Sequence, residues 1–198
     1  LTGFLAQGGV TNVSQRDLGI ELLDRVVTHS YGVVLYQELV DKQRTLEHER
    51  IGDTGPGSAE HLARVVESLD RFPYLIDRIE PAKETLRGEG FYDLESYKES
   101  LFLIDKWLEV LSTLYFPTRL TVVDNQFGSC SIYSSKDLMK IIKDEAQNPY
   151  IRLFQEQFVQ SIVGEQPDLI GVSITATSQI IPGLTLCRLL KEAAPNIH

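Results

Sequence analysis

Four hydroxyl side chains, Ser173, Thr175, Thr177 and Ser178, fall close together near the end of the chain. Hydroxyls both donate and accept hydrogen bonds, so a turn this rich in them suits recognition of a polar ligand. They follow Asp168-Leu169-Ile170-Gly171-Val172-Ser173-Ile174-Thr175, a nearly continuous apolar run rich in β-branched residues, which reads as a strand buried on both faces of a parallel sheet. A helix with Leu186, Leu189, Leu190 and Ala193 on one face comes next, and Pro182 in its first turn puts its start near Ser178. In open parallel sheets ligands bind beyond the carboxyl ends of strands, where helix N-termini offer free N–H groups, and the Ser173–Ser178 turn has that place. The plainer alternative is that Thr177 or Ser178 caps the helix while Ser173 bonds to backbone. Asp17, at the end of an earlier expected strand, is a second candidate on the binding side, with helix capping as its alternative.

Other reactive side chains make weaker patterns. Cys130 and Cys187 belong to no Cys-x-x-Cys or Cys/His cluster, and no sequence-adjacent His could activate either as a nucleophile. His29, His48 and His61 are too widely spaced for a usual metal site. Gly55-Pro56-Gly57 and Gly88-Glu89-Gly90 lack a preceding strand and read as loop punctuation, not as phosphate cradles. Asp124 and Asn125 open a polar stretch that reads as a loop. No nucleophile with a matching base is found, so a complete small enzyme is not supported.

The elements that must position the turn follow from periodicity. Leu1 to Gln7 reads as a helix tail with Leu1, Phe4 and Leu5 on one face and Gly8-Gly9 as its exit. Val10 to Asp17 reads as a strand, and Leu22, Leu23, Val26 and Val27 restore a helical period. Gly52 to Gly57 is a break, with Ser58 as cap of a helix carrying Leu62, Val65, Val66 and Leu69. Asp93 caps a long helix in which Tyr97, Leu101, Ile104, Leu108, Leu111 and Tyr115 form one stripe and Leu103, Trp107, Val110 and Leu114 a second, with Pro117 as its end. Two adjacent stripes predict contacts on two sides, chiefly with other helices. Ser134 with Asp137 predicts a further helix start before Leu138, and Asn148-Pro149 another, with Ile151, Phe154, Phe158 and Ile162 as its buried face.

The 198 residues are 42% hydrophobic, enough for one sizeable core, and 19 Lys and Arg against 28 Asp and Glu leave a net charge of -9. That field repels nucleic-acid backbones and anionic lipid. No signal peptide or membrane span is read, and isolated cysteines fit a reducing compartment, so a cytoplasmic location is expected. The start at Leu1 and the exit at Pro195 lead to the expectation that the chain is a truncated piece of a longer protein.

Gln166-Pro167-Asp168-Leu169-Ile170-Gly171-Val172-Ser173-Ile174-Thr175, Ser178-Gln179-Ile180-Ile181-Pro182 and Leu189-Leu190-Lys191 resemble the N-terminal region of cobalamin-binding-like radical S-adenosylmethionine proteins, especially peptide-maturation types. Gln15-Arg16-Asp17-Leu18, Phe116-Pro117-Thr118-Arg119-Leu120 and Asn148-Pro149-Tyr150 agree with it. The resemblance implies cobalamin as cofactor, with Ser173 matching the family's Ser-x-Leu turn and Thr175 standing in place of Leu. It implies a C-terminal radical barrel on the same polypeptide, holding S-adenosylmethionine and a four-iron four-sulfur cluster, and a possible peptide substrate. The family's Asp-x-His-x-x-Gly and the cluster's Cys-x-x-x-Cys-x-x-Cys do not occur in this sequence. The expected fold is therefore α/β: a partial Rossmann-like parallel sheet with a large helical insert. Residues 1–45 begin the α/β domain, 46–165 form the insert, and 166–198 return as strand, turn and helix. The rival reading is an interaction module whose double-striped helix docks a peptide or partner, with cobalamin binding lost.

Overall fold

The computed structural model describes residues 2–10, 12–49 and 56–198; Leu1 and most of the expected Gly52–Gly57 break lie outside them. Helices dominate: α1 (Thr2–Gln7), α2 (Leu18–Val26), α3 (His29–Glu49), α4 (Pro56–Arg87), α5 (Leu94–Thr113), α6 (Ser135–Ile141), α7 (Pro149–Phe154), α8 (Gln160–Gly164) and α9 (Ile180–Ala193). The sheet among the described residues is one antiparallel pair of two-residue strands, β1 (Arg119–Leu120) and β2 (Asn125–Gln126). This overturns the expected parallel Rossmann-like sheet. Residues 12–17 carry no strand, and Asp17 instead caps α2, its Oδ1 accepting the N–H groups of Gly19 and Ile20 at 3.1 Å each.

Local chemistry explains most helix starts. The Thr28 hydroxyl accepts from Tyr31 N–H at the head of α3, Asp93 from Ser96 N–H at α5, and Ser134 from Asp137 N–H at α6. Ser58, expected to cap α4, lies inside its first turn. That helix runs through Pro73 and Pro81 because both are exposed, so the carbonyls deprived of an N–H partner are on the wet side. The Gly88–Gly90 break becomes a 3-10 turn, Glu89–Tyr92, that reverses the chain into α5.

The first half of the core is a stack of α3, α4 and α5. Trp107 of α5 is fully buried at its centre, with the Phe72 ring of α4 meeting it edge-on at 4.8 Å. Its indole N–H donates to the Val26 carbonyl at 3.0 Å, one of the orphan acceptors at the end of α2. Gly32 of α3 lies against the ring; a Cβ there would come within 2.5 Å of the Trp107 Cη2 and 2.8 Å of Ile76 Cγ1. Both stripes of α5 are used internally: Leu103, Ile104, Trp107, Leu108, Val110 and Leu111 are all buried. The surface on which partner docking would depend is thus inside the molecule.

The second half is tied together by Asn148, whose side chain is completely buried. Its Oδ1 accepts from Tyr150 N–H to start α7, while its Nδ2 donates to the Ile141 carbonyl of α6 and to the Thr185 hydroxyl of α9. Past α7 the helix loosens into a π-turn, Gln155–Val159. Arg25 of α2 donates to the Gln157 carbonyl and covers the Phe158 ring at 4.6 Å, joining the two halves.

The expected strand at Asp168–Thr175 is an extended segment buried on one side only. Ile170 and Val172 pack on the core while Leu169 is 73% exposed, and Gly171, Ser173 and Thr175 also face solvent. Ile170 N–H donates to the His198 carbonyl and His198 N–H to the Asp168 carbonyl, at 2.8 and 3.2 Å, a pair of bonds arranged as between parallel chains. No further ladder follows among the described residues, so the reading of a strand covered on both faces is corrected: the β-branched pattern reports local extension, and α9 supplies the single cover.

Gly32→Ala is expected to lower stability by about 1–3 kcal/mol through overpacking against Trp107. In a Trp107→Leu background, where the ring is gone and only Ile76 must shift, the same substitution should cost clearly less, a non-additivity that urea denaturation of the four proteins measures directly.

Candidate functional site

The hydroxyl-rich turn is shaped by Gln179. Its side-chain oxygen accepts the Thr175 N–H at 2.8 Å, the Thr175 hydroxyl at 3.1 Å and the Ala176 N–H at 3.2 Å. A 3-10 turn, Thr177–Gln179, then leads into α9. Glutamine reaching back to the first N–H of a helix is one half of a capping box, and here it replaces the hydroxyl cap that Thr177 or Ser178 was able to supply. Neither caps, and the hydroxyls of Ser173, Thr177 and Ser178 have no hydrogen-bond partner among the described residues. Ser173 and Thr177 are exposed and Ser178 is half-buried. Four of the five candidate residues are therefore brought together. Asp17, the fifth, is committed to the α2 cap, and no hydrogen bond joins it to the turn.

Asn125 is the residue that sequence reading left as loop. Its Nδ2 donates to the Ser178 carbonyl at 3.2 Å and to the Tyr150 hydroxyl at 3.0 Å, fixing the turn to the β1–β2 hairpin and to α7. Burial pushes the Tyr150 phenol well above its ordinary range, so the ring is a neutral anchor. A polar side chain in a two-residue strand gives no periodic signal, and only the fold reveals this link.

Between the hairpin and the start of α9 lies a cleft of about 270 Å³, with Asp124, Gln126 and Thr177 on its rim and Phe127, Ile132 and Ile181 lower down. It falls below the ~300–1,000 Å³ of pockets that enclose whole cofactors or drug-sized ligands. Cys130 also lines it. Burial, reinforced by Asp137, pushes its thiol up from the usual value, and Cys187 is pushed up by burial as well. Both remain protonated thiols at neutral pH, unsuited to nucleophilic attack. No cluster of three His, Cys, Asp or Glu side chains among the described residues could hold a metal.

His61 has a structural role between α4 and the end of α5. Its Nε2 donates to the Thr113 carbonyl at 2.8 Å and its ring stacks on Phe116 at 4.8 Å, ahead of the cis Phe116–Pro117 bond. Burial holds its pKa below the ordinary value, Lys42 and Arg64 add to this, and the Thr113 bond and Glu49 oppose it.

Comparisons with models of protein families, with curated proteins and with solved structures find no match to the chain.

The His61 shift has a sign that can be checked. A depressed folded pKa means that the unfolded chain binds more protons, so stability is complete above the unfolded value of about 6.5 and declines as pH falls toward the lowered folded value. The urea midpoint of the protein should drop between pH 7.5 and pH 5, and His61→Gln, which keeps a donor without a titration, should show a smaller drop over the same interval.

Proposed function

We propose that this chain is the cofactor-facing N-terminal region of a cytoplasmic radical S-adenosylmethionine protein, and that the Ser173–Ser178 turn contacts a corrinoid of the cobalamin class. The observation that supports the reading is the uncommitted state of the turn. Gln179 takes over the capping, so three hydroxyls remain available at the start of a 14-residue helix, where N–H groups already favour polar ligand atoms. The motif around Ser173 is also where the sequence resembles that family.

The fit is to one edge of such a cofactor. The turn matches a polar periphery, and nothing among the described residues provides a metal-ligating set. The corrinoid would supply alkyl-transfer or radical chemistry, while Ser173, Thr177 and Ser178 hold and orient it. The iron–sulfur cluster and S-adenosylmethionine belong in this proposal to a barrel on the same polypeptide. No helix among the described residues is long and apolar enough to cross a membrane, which agrees with the proposed location without requiring it.

Hydroxocobalamin titrated into the 198-residue chain, followed by absorbance and calorimetry, is expected to bind more weakly than about 10 µM, because one loop of contacts leaves the association cost largely uncompensated. Ser173→Ala should weaken it further by about 1 kcal/mol, near fivefold, as for one lost neutral hydrogen bond. Absence of any spectral change or heat at about 1 mM corrinoid, or an affinity untouched by Ser173→Ala, overturns the assignment of the turn. Sub-micromolar binding would instead contradict the partial character of the site.

A further inference from the structure

Asp124 at the cleft rim is a carboxylate without a cation. Its Oδ1 accepts only the neighbouring Asn125 N–H, at 2.9 Å, and no Lys, Arg or His pairs with it among the described residues. The nearest strand cation is committed elsewhere: Arg119, which sits across the hairpin from Gln126, is held by Glu109 at 2.5 Å. None of the nine residues lining the cleft is basic. Asp137 approaches from the Cys130 side, where its Oδ2 accepts the Ser131 N–H, and adds a second negative charge. Beneath this rim the walls are apolar, with Phe127 and Ile181 buried and Ile132 half-buried.

The cleft thus combines a negative mouth, two uncharged polar side chains in Gln126 and Thr177, and a short apolar wall. Anionic groups are disfavoured there on charge alone, and a neutral apolar group gains nothing from the exposed Asp124 carboxylate. A compact cation on a hydrocarbon stem meets both features: the ammonium reaches the rim while the methylenes lie along Phe127 and Ile132. We propose that this cleft binds a primary ammonium on an aliphatic stem, the chemistry of a lysine side chain or of a free alkylamine. The proposal is separate from the corrinoid reading, since it uses the hairpin side of the cleft and only Thr177 from the turn.

Amide NMR of the 198-residue chain tests it, with N-acetyl-lysine amide, N-acetyl-norleucine amide, n-butylammonium and butyrate as probes. The two ammonium compounds should shift the amides of Asn125, Gly128 and Thr177 with millimolar affinity. The neutral norleucine compound should bind about threefold to fivefold more weakly, the scale of one exposed ion pair, and butyrate should leave these amides unmoved. Asp124→Asn should reduce the lysine compound to the norleucine level, and 0.5 M salt should do the same without any substitution. Stronger binding of N-acetyl-lysine amide than of n-butylammonium identifies a peptide side chain as the source, and the reverse order a free amine. Equal affinity for the lysine and norleucine compounds, shifts confined to other parts of the chain, or no shifts at tens of millimolar overturns the proposal. Corrinoid titration has no bearing on these outcomes, so failure here leaves that reading to its own test.

Discussion

The burial of Trp107 is the constraint on which the helical half depends. A fully buried indole must place its N–H on an acceptor, and the acceptor chosen is a carbonyl that the end of α2 leaves unpaired. One bond thereby satisfies two otherwise costly groups and sets the exit of α2 against the middle of α5. The ring also dictates what can face it. Gly32 is required because α3 passes so close that a methyl group would overlap the indole. Phe72 fills the remaining side edge-on, so α3, α4 and α5 lock around one residue.

The other half is organised by polar side chains, since its elements are too short to be held by apolar stripes alone. Asn148 serves α6, α7 and α9 at once, and the Thr185 hydroxyl, which accepts from it, donates in turn to the Ile181 carbonyl. A buried amide with all its partners present specifies one arrangement of three short helices, because any other would leave a donor or acceptor unsatisfied. Asn125 repeats the device nearer the surface, linking hairpin, α7 and turn. The position of the hydroxyl turn therefore follows from two asparagines, not from a sheet.

Much of this was legible in the sequence where the signal is local. Asp93, Ser134 and Asn148 announce helix starts through capping chemistry that requires only neighbouring N–H groups. The two stripes of α5 also read correctly as contacts on two sides. What failed was the inference from β-branched composition to a sheet. Val172 and Ile174 prefer extended backbone, but extension becomes a sheet only when neighbouring strands supply bonds, and sequence periodicity does not report their presence. α3 escaped notice for the opposite reason: with Val33 and Val34 exposed and polar residues dispersed along it, its amphipathic pattern is blurred. Asn125, the one new member of the candidate site, carries its role through contacts with residues 25 and 53 positions away.

The segment before the turn shows how a single covering helix can hold an extended chain in place. Ile170 and Val172 pack on the core while Leu169, Gly171, Ser173 and Thr175 are exposed, so a slip of one residue would exchange apolar for polar contacts; Ile174, 40% exposed, is only partly covered. Close approach is possible because Gly183 opposes Ile174; a Cβ there would lie 2.7 Å from Ile174 Cδ1. The glycine costs helix propensity near the start of α9 and in return lets the isoleucine seat against the helix backbone. The packing of Ile170 and Val172 on the core sets the register of the segment and, through it, the outward direction of Ser173. The hydroxyls of the turn face solvent because the apolar residues that alternate with them have only one surface on which to be buried.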